Sequence, residues 1–97
     1  MKEIHQLNKL FENRIRLGIM SLLLLNEWMD YKQIKEDLEV TDGNLASHIS
    51  NLEKHKLIEV RKQFIGKKPN TSYKATQTGK AAFNSHLDAL EALLRKR

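Results

Sequence analysis

The sequence contains no cysteine. That excludes disulfides, zinc ribbons and thiol catalysis, and it is compatible with a reducing cytoplasm. Aromatic residues make up only 6% of the chain, so the stacking platforms that usually hold single-stranded nucleic acid are missing. The longest apolar run, residues 22–25, is too short to cross a bilayer, and the first residues lack the apolar stretch of a signal peptide. A cytoplasmic protein with no membrane partner is therefore expected. No internal repeat and no low-complexity tract is visible. The histidines His5, His48, His55 and His86 lie far apart with no cysteine to join them, so neither a metal site nor another cofactor is expected. Ser47 and His48 are chain neighbours rather than facing groups, and Glu27, Asp30 and Glu36 read as surface or capping residues. No set of nucleophile, base and orienting group is readable, so an enzyme is not expected.

What is present suits one folded unit. The 97 residues, 40% apolar and 30% charged, fit a single domain over 1–97 with no room for a second core. So small a core is marginal alone, which favours association with a second copy. The net charge is +5, and it is unevenly placed. Between residues 48 and 80 the cations Lys54, Lys56, Arg61, Lys62, Lys67, Lys68, Lys74 and Lys80 stand against Glu53 and Glu59, a balance of +6, while the rest of the chain carries −1. A localised positive patch is the electrostatic footprint of a polyanion binder.

Hydrophobic spacing divides the chain into elements. Ile4, Leu7, Leu10 and Phe11 predict a first amphipathic helix. A second helix over 14–25 is apolar nearly all round, which marks it as central and buried. Trp28 and Met29 suggest a very short strand, and Asp30 can cap a short helix carrying Tyr31, Ile34 and Leu38. After the turn at Glu39 and Val40, Thr41 can cap a further helix over 42–55, with Asp42 at the positive end of its dipole. Two short helices joined by a tight turn are a helix-turn-helix candidate. Beyond Leu57 the period becomes two: Ile58, Val60 and Phe64 alternate with polar residues as in a half-buried strand. Residues 66–70 have turn chemistry, and the return strand should face Tyr73 and Ala75 inward. Thr76 or Thr78 then caps a last helix, to about 94, with Phe83, Leu87, Leu90 and Leu94 in one stripe. The expected class is mainly α with a small β-hairpin: about five helices and a two- to three-stranded sheet.

The helix over 42–55 holds the most informative surface. At roughly 100° per residue, Leu45, Ile49 and Leu52 share an arc of about 60° that must face the core. Gly43, Asn44, Ser47, His48 and Asn51 fill a separate arc of about 140° that has no carboxylate and no long apolar side chain. Exposed helix faces are usually built from strong helix formers such as Glu and Lys, so weak formers here need another reason. Asn44 and Asn51 could pair bidentately with adenine, and Ser47 and His48 could meet a base edge or a phosphate. Gly43 leaves the N-terminal N–H groups uncluttered for a phosphate oxygen. Thr41 and Lys54 bracket this face. Lys67 and Lys68 at the hairpin tip, with Arg61, Lys62, Asn70 and Lys74 on its arms, could contact the flanking backbone or minor groove. Gly66 permits the bend and Pro69 stiffens it.

At this point the sequence resembles the winged helix-turn-helix regulators grouped around the MarR and ArsR families, and within them a branch of small bacterial and archaeal proteins. The resemblance rests on residues 41–49 and 52–54, then on 66–76 and Gly79, and it extends over nearly the whole chain. It implies that the helix over 42–55 enters the major groove, that the hairpin over 58–75 is the wing, and that terminal helices form a dimer interface. Two positions depart from the branch: Lys56 stands where it usually has Gly, and Ala75 where it usually has Leu. A left-handed backbone at Lys56 would carry modest strain.

The expectation is a transcription regulator, acting as a repressor, that binds double-stranded DNA as a homodimer. Leu7, Leu10 and Phe11 with Phe83, Leu87, Leu90 and Leu94 would pair across the two-fold axis. The sequence identifies no effector; one would have to bind near that axis. The alternative is a winged-helix protein–protein interaction module, whose recognition face would carry exposed large apolar groups instead.

Overall fold

The computed structural model describes residues 2–95. Among them run α1 (Arg14–Leu25), β1 (Met29–Asp30), α2 (Tyr31–Leu38), α3 (Asp42–Lys54), β2 (Ile58–Ile65), β3 (Lys68–Ala75) and α4 (Gln77–Arg95). The helix expected over 4–11 is replaced by two 3₁₀ turns, Lys2–Gln6 and Lys9–Phe11, so the α-helices number four rather than five. Asn8 is the reason. Its backbone is extended, its N–H donates to His86 Nδ1 at 3.0 Å, and its side chain caps the second turn by accepting from Leu10 N–H at 2.9 Å.

Capping chemistry starts each of the other helices. Asn13 accepts from the N–H groups of Ile15 and Arg16, Asp30 from Gln33, Thr41 from Asn44, and Thr76 from Gly79. Both helices of the helix-turn-helix close through a left-handed residue, Glu39 (φ 53°) and Lys56 (φ 61°). At the end of α3, Lys56 N–H donates to Glu53 O and Leu57 N–H to Leu52 O, the paired bonds of a Schellman motif.

The core is built on α1. Ile19, Met20 and Leu23 are buried against Ile34 of α2, Leu45, Ile49 and Leu52 of α3, and Ile58, Tyr73 and Ala75 of the sheet. The sheet is antiparallel in the order β1-β3-β2, with Met29 opposite Tyr73 and Ile58 opposite Ala75. Only the base of the β2–β3 hairpin reaches the core: Ile58 is buried, whereas Val60 and Phe64, expected to be half-buried, are exposed. The alternation of the sequence continues past the point where the core ends.

Helix α4 begins in tight contact with the end of α3. Thr76 N–H donates to Leu57 O, and a Cβ built on Gly79 would lie 2.0 Å from that same oxygen, so only glycine allows this approach. The inward line of α4 is Gly79, Phe83, His86 and Ala89. Phe83 meets Phe11 edge to face at 5.2 Å between ring centroids. Phe11 and Phe83 thus fill the chain's own core, and Leu7 and Leu10 are half-buried. Leu87, Leu90 and Leu94 point outward, 43%, 43% and 56% exposed.

Candidate nucleic-acid interface

Helix α3 presents its two faces as its spacing requires. Leu45, Ile49 and Leu52 are buried, while Gly43, Asn44 and Ser47 are exposed, and nothing lies within 4 Å of where a Gly43 Cβ would be. The helix is held by its first turn. Lys35 forms an ion pair with Asp42 at 3.1 Å, and the Tyr31 hydroxyl donates to Asp42 O at 3.1 Å, which ties α2 to the start of α3. Thr41 Oγ1 is committed to its cap at 3.2 Å from Asn44 N.

His48 and Asn51 are half-buried, unlike their neighbours on this face. Arg16 of α1 is responsible for the setting of His48. Its Nε donates to Leu10 O at 2.7 Å and its Nη1 lies 3.1 Å from His48 Nδ1. A guanidinium can only donate, so Nδ1 accepts and the proton of the neutral imidazole sits on Nε2. Burial and then the adjacent Arg16 charge hold His48 below its ordinary pKa of 6.5, which keeps the ring neutral. Asn51 Oδ1 is buried and meets no partner among the described residues. The bidentate adenine contact suggested for Asn51 is unavailable in this rotamer; exposed Asn44 is free to make it. Beyond them, Lys54 is exposed, and His55 donates from Nδ1 to Asn51 O at 2.9 Å.

The wing cations divide between the two faces of the hairpin. Arg61 and Lys74 lie on the face away from the core, where Trp28 waits beside β1. The Arg61 guanidinium stacks 4.2 Å from the Trp28 ring centroid, and Lys74 Nζ sits 5.6 Å from the same ring and 3.5 Å from Glu27 Oε1. Asn70 Oδ1 accepts from Ser72 Oγ at 2.9 Å. Lys62, Lys67 and Lys68 are exposed toward the tip, and among the described residues none of the three forms an ion pair. The expected site residues are therefore brought together as an open patch on α3 (Gly43, Asn44, Ser47, with His48 at its edge) and a free lysine group on the wing. Arg16 and Trp28, which contact the expected site residues His48, Arg61 and Lys74, are neighbours that sequence reasoning missed. The one available signal for Arg16 is a long cation one turn into a mostly apolar helix, beyond Arg14 at its first position.

A helix-turn-helix whose second helix shows an uncharged polar face, followed by a hairpin wing, defines a DNA-binding protein of the winged-helix class. The chain belongs to the winged helix DNA-binding domain family, whose sequence pattern matches residues 15–94. It is 34% identical over 79 residues to the uncharacterized protein MJ0432 of Methanocaldococcus jannaschii, a match covering 81% of this chain and 86% of the relative. The transcriptional regulator homologue protein from Pyrococcus horikoshii OT3 superimposes with a TM-score of 0.90 at 34% identity, over 99% of this chain and 97% of that one. A transcriptional regulator of the MarR family from Enterococcus faecalis V583 shares the fold alone, with a TM-score of 0.70 at 22% identity over 89% and 74% of the two chains.

Proposed function

We propose that this chain is a sequence-specific transcription repressor that binds duplex DNA as a homodimer, one DNA-binding unit over 1–97. Helix α3 lies in the major groove and the wing on the neighbouring backbone or minor groove. The observation that carries the reading is the open face of α3: Gly43, Asn44 and Ser47 clear of their own chain, with small polar groups that can approach base edges. Asn44 reads adenine, His48 donates from Nε2 to a base or phosphate acceptor, and Lys62, Lys67 and Lys68 hold phosphates. Lys54 and Asn70 lie at the margins, and Thr41 contributes by capping. Arg61 and Lys74 support the sheet through Trp28 more than they serve DNA.

Dimerisation is supported by the outward line of Leu87, Leu90 and Leu94, apolar side chains that the described residues of this chain leave uncovered. A two-fold pair would set two recognition helices about 34 Å apart, one helical turn of DNA. Repression needs no more than occupancy, since a bound dimer excludes other proteins from its site. The homologue from Pyrococcus horikoshii, described as a transcriptional regulator, fits this reading.

The test is selection of bound sequences from a random duplex pool, followed by gel shifts with two variants. Asn44→Ala should relax the preference at one position, by about 1–3 kcal/mol of discrimination. Lys67→Ala with Lys68→Ala should weaken all sequences alike. Failure of the pool to yield any enriched sequence would remove sequence-specific recognition.

A further inference from the structure

The wing ends in apolar side chains that its own chain does not cover. Phe64 is 74% exposed and Ile65 60% exposed, and every residue from 59 to 69 is exposed. Their placement is peculiar to a thin ribbon. Phe64 pairs with Pro69 and Ile65 with Lys68, so adjacent apolar groups point to opposite faces of the hairpin. The connection between the strands is Gly66 and Lys67, with Gly66 at φ 66°, which keeps the tip narrow. Beyond Ser72 the ribbon is two-stranded, and its last four pairs, from Lys62 with Thr71 to Ile65 with Lys68, span about 10 Å.

A flat protein surface would cover one face of such a tip and leave the other wet. A slot with two walls covers both. The charge around the tip says what the slot is made of. Lys62, Lys67 and Lys68 flank the apolar groups, and the sequence holds no acid between Glu59 and Asp88. The minor groove of duplex DNA is such a slot, walled by sugars and rimmed by phosphates; at about 6 Å in B-DNA it must open to admit a ribbon with side chains on both faces, as it does where the duplex is kinked. Apolar side chains that enter it can part a base step and kink the duplex.

We propose that the wing tip is an apolar wedge, with Phe64 inserting at a base step in the minor groove, Ile65 against the opposite wall and the three lysines on the phosphate rims. The inference rests on the duplex-binding reading above and deepens it. The wedge bends the DNA and gives the protein a preference for deformable pyrimidine–purine steps, TA and CA, at positions that α3 does not touch.

The experiment uses the full chain and end-labelled duplexes carrying the selected site with either a TA or a stiff A-tract step under the wing. Affinity is read by anisotropy across salt concentrations and bending by energy transfer between the ends. Phe64→Ala with Ile65→Ala, exposed positions whose fold is checked by thermal melting, should lose the bend and roughly tenfold in affinity for the TA duplex, with little change in the salt slope. Lys67→Ala with Lys68→Ala should keep the bend and lower the slope by about 1.8. If the apolar double variant binds and bends DNA like the parent, the wedge is wrong while duplex binding stands. The same conclusion follows if that variant changes only the oligomeric state in sedimentation, which would make the tip a protein contact. If the parent binds no duplex at all, the wedge falls together with the reading it rests on.

Discussion

His48 shows how one residue's setting determines its chemistry. The Arg16 contact and partial burial both favour the neutral imidazole. The folded pKa therefore lies below the unfolded value of 6.5, and on acidification the unfolded chain takes up this proton first. Stability is then lost as the pH falls from about 6.5 through the folded pKa. Urea melts of the DNA-free protein between pH 7 and pH 5 should show a larger loss for the parent than for His48→Gln; equal losses would mean that Arg16 does not govern His48. Lys56 offers a second residue-scale outcome. Its φ of 61° is the left-handed conformation that costs an L-residue roughly 1–2 kcal/mol, partly offset in glycine by the entropy of the unfolded chain. Lys56→Gly should raise the unfolding free energy by about 0.5–1 kcal/mol at an unchanged urea m-value. A loss of stability would mean that the Lys56 side chain does work the geometry does not reveal.

Among the elements, those built on strong periodicity were legible in the sequence. The span of α1, the caps at Asp30 and Thr41, the buried line of α3 and the hairpin over 58–75 follow from spacing and turn chemistry. Two readings at this scale were not available from spacing. The segment over 4–11 has helical periodicity, but Asn8 breaks it through a bond to His86, a partner 78 positions away. Val60 and Phe64 carry a strand's alternation, yet the wing outruns the core that would bury them. The candidate site was legible in the same uneven way. The open residues Gly43, Asn44 and Ser47 follow from the helix wheel, whereas the hold of Arg16 on His48 and the stacking of Arg61 on Trp28 depend on distant residues. Nothing local encodes them.

At the scale of the whole molecule, the division of labour runs from one end of the fold to the other. The terminal turns pack on α4, α1 supports both α4 and α3, and Arg16 joins Leu10 of the terminal segment to His48 of α3. A subunit contact through α4 would thus lie one shell of packing from the open polar face of α3. Leu87→Gln, Leu90→Gln and Leu94→Gln together should convert a dimer to monomers in sedimentation at micromolar concentration while α4 stays helical by circular dichroism, because these side chains do not serve the chain's own core. A parent that sediments as a monomer, or a variant that stays dimeric, would move the interface elsewhere. The central claim is that an open polar helix face and a lysine-tipped wing make one surface for duplex DNA. Its most direct test is the salt dependence of affinity for a random-sequence duplex. Log K should fall linearly with log salt, by about 0.9 for each phosphate held. No association at low salt, or an affinity indifferent to salt, would contradict it.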